Sequence, residues 1–235
     1  TKRTVEELQA TLDKLGSSVS ISAGSYTTDI SVSTLEKNLP QTLAIVQEVL
    51  FEPKFDEQDF ERVKKQMLEG VVYQHQQPSW MASQATREVL FGDSIFARAS
   101  DGTKASLSQL TLDDVKKFYG QHYTPEGANI VVVGDISKKE VGKQLQFFEQ
   151  WQGDAAPLTR PQIIKELSGQ HLYLVDKPGA PQSIVRLVRK GLPFDATGEL
   201  YLSQLANFNL AGNFNSRINQ NLREDKAYTY GASGY

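Results

Sequence analysis

The stretch TVEELQATLDKLGSSVSISAGSYTTDISVS, residues 4–33, changes its hydrophobic period halfway along, and this change decides the fold class. Thr4 and Glu7 have the spacing of a capping box, and leucines follow them at helical intervals. The second part alternates apolar and polar residues on both sides of a Gly24-Ser25 turn. The first part therefore predicts an amphipathic helix, and the second predicts a β-hairpin.

Helical periodicity dominates the next part of the chain. Asp56 is placed to cap a long helix that extends to about residue 75. The predicted buried stripe of this helix consists of Phe60, Val63, Met67 and Val71. Shorter helices are predicted at 79–91 and 111–119, and a long one at 198–222. Apolar runs predict strands at 130–133, 171–175, 183–188 and 227–235.

Strand runs interleaved with helices predict an α+β fold that occurs twice, each copy with an antiparallel-rich sheet and helices on one face. Between residues 153 and 169 no apolar period persists for a full turn. We therefore predict a first domain at 1–152 that lacks its N-terminal part, a linker at 153–169, and a truncated second domain at 170–235. The missing initiator methionine leads us to expect a piece of a longer polypeptide.

The composition excludes several classes of function. Of the 235 residues, 39% are hydrophobic and 23% charged, which is typical of a globular chain. The net charge of −3 and the scattered basic residues do not favour nucleic-acid binding or an anionic membrane surface. No apolar run is long enough for a membrane span. The absence of cysteine excludes disulfides, thiolate zinc sites and cysteine nucleophiles, and is compatible with the periplasm as well as the cytosol.

The histidines do not form a metal signature. His75, His122 and His171 are far apart, and none has a second histidine three or four residues away. We interpret them as surface or partly buried imidazoles. The chain also has neither a G-x-S-x-G elbow nor a phosphate-binding glycine loop.

The last segment concentrates cations and phenols, with Arg217, Arg223, Tyr228 and Tyr230 close together. Arginine offers a forked set of donors and tyrosine a single directed one, which together suit the carbonyls or the carboxylate of a peptide. The alternative is that the arginines complement a helix dipole and the tyrosines favour a strand. The residue types alone leave both interpretations open.

Five segments in this order resemble the insulinase/pitrilysin family of inverted zincins, and together they span nearly the whole chain. They are residues 4–33, quoted above, FEPKFDEQDFERVKKQMLEG (51–70), LTLDDVKKFYGQHYTPEGANIVVVGDIS (110–137), LYLVDKPGAPQSIVRL (172–187) and NFNLAGNFNSRINQNLREDKAYTYGASGY (207–235). The resemblance implies a clamp of related α+β domains. One half holds zinc through H-x-x-E-H and a later glutamate, and the other half closes the chamber.

The resemblance also implies which half this chain represents. In active halves the helix that corresponds to residues 59–72 carries two glutamates seven residues apart, on one face. Val63 and Gly70 stand at these positions here, and neither can coordinate a metal. Glu61 and Glu69 are eight apart and diverge by roughly 80° around the helix. We therefore expect this chain to bind no metal and to contribute no catalytic residue, with zinc in a partner half.

The non-catalytic half of this family supplies an arginine and, seven residues later, a tyrosine that contact the substrate. Arg223 and Tyr230 match this spacing. By resemblance, Tyr230 donates to the scissile carbonyl and Arg223 holds a neighbouring one, while Tyr228 is the fallback for a shifted register. The chain alone is expected to be inactive, and to hold peptides for an H-x-x-E-H-bearing half on the same polypeptide or on a separate subunit.

Two further expectations come from this resemblance. The alternative to a peptide-holding half is a non-proteolytic structural or binding subunit with the same fold. A periplasmic location is favoured by analogy with the family.

Overall fold

The computed structural model of the chain describes residues 1–24, 26–154, 157 and 168–235. By its internal contacts the chain divides into two compact units, Thr1–Val185 and Arg186–Tyr235. Most of the predicted linker at 153–169 lies outside the described residues. The predicted domain limits of 1–152 and 170–235 therefore stay predictions.

Helices outnumber strands in the first unit. In chain order they are α1 (Val5–Leu15), α2 (Leu39–Phe51), α3 (Glu57–His75), α4 (Pro78–Phe91), α5 (Lys104–Gln109), α6 (Leu112–His122) and α7 (Lys138–Gln144). Short 3-10 turns lie at Glu36–Asn38, Ile95–Ala97 and Gln146–Gln150. Strands β1 (Ser18–Ala23) and β2 (Thr28–Ser33) pair antiparallel, with Ser18 opposite Ser33 and Ala23 opposite Thr28.

The helix and hairpin predicted for residues 4–33 are confirmed. The Thr4 hydroxyl accepts from the Glu7 amide at 3.2 Å, and the Glu7 carboxylate accepts from the Thr4 amide at 2.8 Å. These two bonds satisfy backbone donors that the first turn of α1 leaves unpaired. Gly16 ends the helix in the left-handed region, at φ 58°. Together with the antiparallel hairpin, the helices confirm the predicted α+β class.

The core of the first unit is centred on α2. Ile45, Val46 and Leu50 lie on one side of this helix and are at most 5% exposed. Burying side chains of this size contributes roughly 1.5–3 kcal/mol each to stability. Leu12 of α1 is also buried. The apolar stripe of α2 therefore holds α1 against the rest of the unit.

A cluster of three hydroxyls joins α2 to both ends of the hairpin. Thr42 of α2 is fully buried, and its hydroxyl lies 2.8 Å from that of Ser17 and 3.0 Å from that of Thr34. Ser17 and Thr34 are themselves 2.8 Å apart. Thr42 also donates to the Asn38 carbonyl at 3.0 Å. Since buried polar groups are costly unless they are paired, this network fixes where the hairpin begins and ends.

The stripe predicted to be buried on α3 is wrong at two positions. Val71 is buried, but Val63 and Met67 are 43% and 41% exposed. The packed face passes through Lys64, seven residues before Val71, and the Lys64 ammonium donates to the Leu110 carbonyl at 2.7 Å. Positions seven apart share a helix face, and Val63 lies about 100° away from Lys64. Val63 is therefore turned towards solvent.

The strands predicted after the hairpin do not join a sheet in the described part of the chain. They are the segments 130–133, 171–175, 183–188 and 227–235. Side chains in the first of them still alternate in exposure, with Val131 at 85%, Val132 at 47% and Val133 at 94%. This is the period of extended backbone. A local pattern predicts extension, whereas pairing also requires a distant partner in register.

Among the helices in residues 1–24, 26–154 and 168–235, none combines the length and the apolar character that a membrane crossing requires.

The space beside Gly70 of α3 can be tested by adding a methyl group. A Cβ at this position would meet no atom within 4 Å outside the backbone of its own helix. We expect Gly70→Ala to raise the free energy of unfolding by about 0.5–1 kcal/mol, because alanine loses less backbone entropy on folding. Gly16 at the end of α1 has equally open surroundings but a φ of 58°, so Gly16→Ala should lower that free energy by about 1 kcal/mol. Urea denaturation measures both, and a destabilised Gly70→Ala protein would contradict the open space beside Gly70.

The cap of α3 makes stability depend on pH. The Asp56 carboxylate accepts from the backbone amides of Asp59 and Gln58 at 3.1 and 3.0 Å, and it pairs with Lys54 at 3.2 Å. The hydrogen bond from the Asp59 amide, followed by the contact with Lys54, lowers the pKa of Asp56 below its usual value of 3.8. Its contribution is therefore present above that value and is lost as the pH falls through the lowered pKa.

Asp56→Asn tests this dependence, because asparagine also caps helices but does not titrate. We expect the free energy of unfolding to fall less between about pH 5 and about pH 2 in this variant than in the wild type. Urea denaturation across this range measures the difference. Equal slopes in the two proteins would show that the cap does not depend on the carboxylate charge.

Candidate functional site

The second unit is built around a broken helix. It contains α8 (Glu199–Asn207), a π-helical turn (Phe208–Gly212), α9 (Arg217–Asn219) and a second π-helical turn (Gln220–Asp225). The single helix predicted at 198–222 is therefore wrong. Asn213 is extended, at φ −144° and ψ 171°, and its side-chain amide donates to the Phe208 carbonyl at 2.6 Å. Asparagine side chains that bond to nearby backbone compete with helical bonds, which explains the break.

Arg223 lies in the second π-helical turn and is held by two neighbours. Its guanidinium carbon is 4.5 Å from the centre of the Phe214 ring, a cation–π contact. Its Nε is 3.3 Å from a carboxylate oxygen of Glu224. The Arg223 side chain is still 37% exposed. The guanidinium is thus oriented by an aromatic platform and keeps part of its surface for a ligand.

Tyr230 follows a sharp turn after Arg223. Ala227 is in the left-handed region at φ 52°, and its amide donates to the Arg223 carbonyl at 3.1 Å. The Tyr228 amide donates to the Leu222 carbonyl at 2.9 Å. These bonds close the helical turn and reverse the chain. Beyond them the Tyr230 side chain is 88% exposed.

The structure places Arg223 and Tyr230 in the same unit, on either side of the Ala227 turn. Among the described residues, no hydrogen bond or ring contact joins their side chains. The guanidinium supplies an oriented charge, and the exposed phenol supplies a single directed donor. Tyr228, the fallback, is 78% exposed. The contact between Phe214 and Arg223 was not predicted, because the sequence indicated one continuous helix in place of the broken one that brings the two residues together.

The positions aligned with the zinc-helix glutamates offer no ligand atoms. Val63 has only carbon in its side chain, and Gly70 has no side chain at all. Zinc requires nitrogen, sulfur or oxygen donors, so these two positions do not fit a zinc site. Within the described residues, no group of at least three His, Cys, Asp or Glu side chains is arranged to hold a metal ion.

The three histidines contact three different neighbours. His75 stacks on Trp80 with ring centres 4.0 Å apart, and His122 lies 4.4 Å from the ring of Phe118. The Nε2 atom of His171 is 2.8 Å from the Ser168 carbonyl oxygen. The structure does not bring the three imidazoles together.

Two parts of the chain match models of one peptidase family. Residues 109–235 match the model described as the peptidase M16 inactive domain, and residues 1–94 match insulinase, peptidase family M16. This chain belongs to peptidase family M16. The resemblance to the insulinase/pitrilysin family is confirmed, and residues 109–235 of the chain are of the inactive type.

Two relatives with curated names are described as a zinc protease and as a non-peptidase homolog. An uncharacterised zinc protease of Bacillus subtilis is 24% identical over 99% of this chain and 56% of its own length. A non-peptidase homolog of Helicobacter pylori is 24% identical over 93% of this chain and 50% of its own length. The chain thus spans about half the length of these relatives, and zinc is associated with the family by name.

A solved M16 structure shares the fold. The crystal structure of a peptidase M16 inactive domain from Pseudomonas fluorescens matches all of this chain and 57% of its own, with a TM-score of 0.76 and 26% identity. That protein is described by the same term, inactive domain, as the family model that matches residues 109–235.

Two positions on α3, Val63 and Gly70, lack metal-binding atoms, and this leads to a prediction about zinc. We expect calorimetric titration of the chain with zinc chloride to show no tight, stoichiometric binding, because Val63 and Gly70 provide no donor atoms. His75→Ala, His122→Ala and His171→Ala should each leave the weak residual heat unchanged within error. Saturable binding of one zinc ion per chain would contradict the assignment of an inactive half.

Proposed function

We propose that this chain is the non-catalytic, peptide-holding half of an M16 zinc endopeptidase. The observation that carries the proposal is that an oriented cation and an exposed phenol lie seven residues apart in the second unit. Arg223 is held by Phe214 at 4.5 Å, and Tyr230 is 88% exposed seven residues later. The match of residues 109–235 to the inactive domain supports the same assignment.

The two side chains have different roles in this proposal. The Tyr230 hydroxyl donates a hydrogen bond to the scissile carbonyl of the bound peptide, and this bond strengthens as negative charge develops on the carbonyl oxygen. The Arg223 guanidinium binds a neighbouring peptide carbonyl and so fixes the register of the substrate.

A partner half supplies the zinc in this proposal. The positions at Val63 and Gly70 do not fit the metal, so an H-x-x-E-H-bearing half, on the same polypeptide or on a separate subunit, has to hold it. The curated relatives extend well beyond the length that this chain covers, which leaves room in them for such a half. By analogy with the family we also propose a periplasmic location.

A second candidate function has one specific observation in its favour. The Helicobacter pylori relative, 24% identical over 93% of this chain, is named a non-peptidase homolog. On this alternative the chain is a structural or binding subunit without a role in proteolysis. Arg223 and Tyr230 would then stabilise the second unit without contacting a peptide.

Removing one polar group at a time separates the two candidate functions. We expect Tyr230→Phe to weaken binding of a pool of fluorescein-labelled random decapeptides by about 5–10-fold, the effect of one lost hydrogen bond. Arg223→Gln should weaken it by about 10-fold or more, because a charged donor is lost. Fluorescence anisotropy measures both affinities in the intact protein.

Matched controls lie close by on the same unit. Tyr228→Phe removes a hydroxyl two residues away, from a side chain that is 78% exposed, and Arg217→Gln removes a nearby exposed cation. Both controls should bind the decapeptide pool as the wild type does. If Tyr230→Phe and Arg223→Gln also bind normally, the peptide-holding role is wrong and the structural alternative is favoured.

A further inference from the structure

Asn219 is a buried amide that contacts both parts of the proposed site. It is 3% exposed and lies at the end of α9, four residues before Arg223. Its side-chain nitrogen donates to the Phe214 carbonyl at 2.6 Å. Its side-chain oxygen accepts from the Ala232 amide at 3.0 Å. One side chain therefore bonds to the residue that carries the Arg223 platform and to the segment that carries Tyr230.

The identity of this residue follows from its two partners. A carbonyl requires a donor and an amide requires an acceptor, and asparagine presents one of each on a short side chain. A leucine would fill the same space but would leave the Phe214 carbonyl and the Ala232 amide without these partners. The bond to Phe214 also reaches back five residues, to the short segment between the first π-helical turn and α9.

A second asparagine holds the same C-terminal segment further along. The Asn207 side chain, at the end of α8, donates to the Gly234 carbonyl at 2.8 Å. The Gly234 amide in turn donates to the Ala211 carbonyl at 2.9 Å. The segment after Tyr230 is thus fastened at Ala232 and Gly234, while the Tyr230 side chain itself projects into solvent.

We infer that Asn219 is a positioning residue that sets the spacing between Arg223 and Tyr230, with Asn207 as a second anchor. This inference rests on the proposed function of those two side chains. Asn219 acts through the backbone and touches no substrate. Its two bonds fix the aromatic platform of the cation relative to the strand-like segment of the phenol. Preorganisation of this kind strengthens binding because less disorder is lost when the peptide arrives.

The test combines amide hydrogen exchange with peptide binding in the intact protein. We expect Asn219→Ala to speed exchange of the Ala232 amide by about 10-fold, since its acceptor is removed. Asn219→Gln retains both the amide donor and the acceptor oxygen and should restore part of the protection at Ala232. Asn221→Ala is the matched control, because Asn221 is exposed and only accepts a bond from Lys226 at 3.0 Å.

Peptide affinity provides the functional readout. We expect Asn219→Ala to weaken binding of the labelled decapeptide pool by about 3–10-fold although no peptide contact is removed, whereas Asn221→Ala should bind as the wild type does. Recovery of affinity in Asn219→Gln, in step with the recovered protection, would support positioning over a general loss of stability. If Asn219→Ala does not fold, Asn207→Ala tests the same arrangement at the Gly234 anchor.

The results also separate this inference from the proposed function. Unchanged exchange at Ala232 in Asn219→Ala, or normal peptide affinity in that variant while Tyr230→Phe binds weakly, would overturn the positioning role. If Tyr230→Phe itself binds normally, the proposed function fails, and the positioning role that depends on it fails as well. Fast exchange at Ala232 would then describe only a structural bond.

Discussion

The first unit depends on the burial of one helix, α2. Its apolar side, formed by Ile45, Val46 and Leu50, excludes water from the centre of the unit. Other parts of the unit attach to the same helix through specific contacts. Thr42 bonds to the residues at both ends of the hairpin, and the Tyr119 hydroxyl donates to the Leu50 carbonyl. A helix of only 13 residues thus sets the position of α1, the hairpin and α6.

The C-terminal end of α2 extends this role through aromatic packing. The Phe51 ring lies 5.9–6.3 Å from the rings of Phe147, Phe148 and Trp151, in edge-to-face geometry. Trp151 also donates from its indole to the Tyr123 carbonyl at 3.0 Å. The 3-10 turn at Gln146–Gln150 and Trp151 are therefore held by ring contacts, whereas side-chain amides hold the C-terminal segment of the second unit.

Local patterns in the sequence predicted the elements that local forces stabilise. The capping box at Thr4, the Asp56 cap and the alternating hairpin involve partners within a few residues, and each is present in the structure. The short helix α5 was missed, although Thr103 and Ser106 form a capping box there. Serine is an unusual partner in that motif, and a six-residue helix has little periodicity to detect.

The remaining errors involve distant partners. Sequence periodicity did not show that α3 packs through Lys64 and Val71 and leaves Val63 exposed, because that depends on where Leu110 lies. For the site, the sequence and the family resemblance indicated Arg223 and Tyr230 but neither Phe214 nor Asn219. Phe214 lies between the first π-helical turn and α9, and Asn219 bonds to a residue beyond the Ala227 turn. No fixed spacing in the sequence marks such contacts.

Ala227 gives the site a built-in weak point. A residue with a Cβ costs roughly 1 kcal/mol or more in the left-handed region, and Ala227 adopts a φ of 52° there. The bonds that Asn219 and Asn207 make to Ala232 and Gly234 offset this cost. The position of the Tyr230 phenol therefore depends on two side-chain amides that hold the chain beyond one strained alanine.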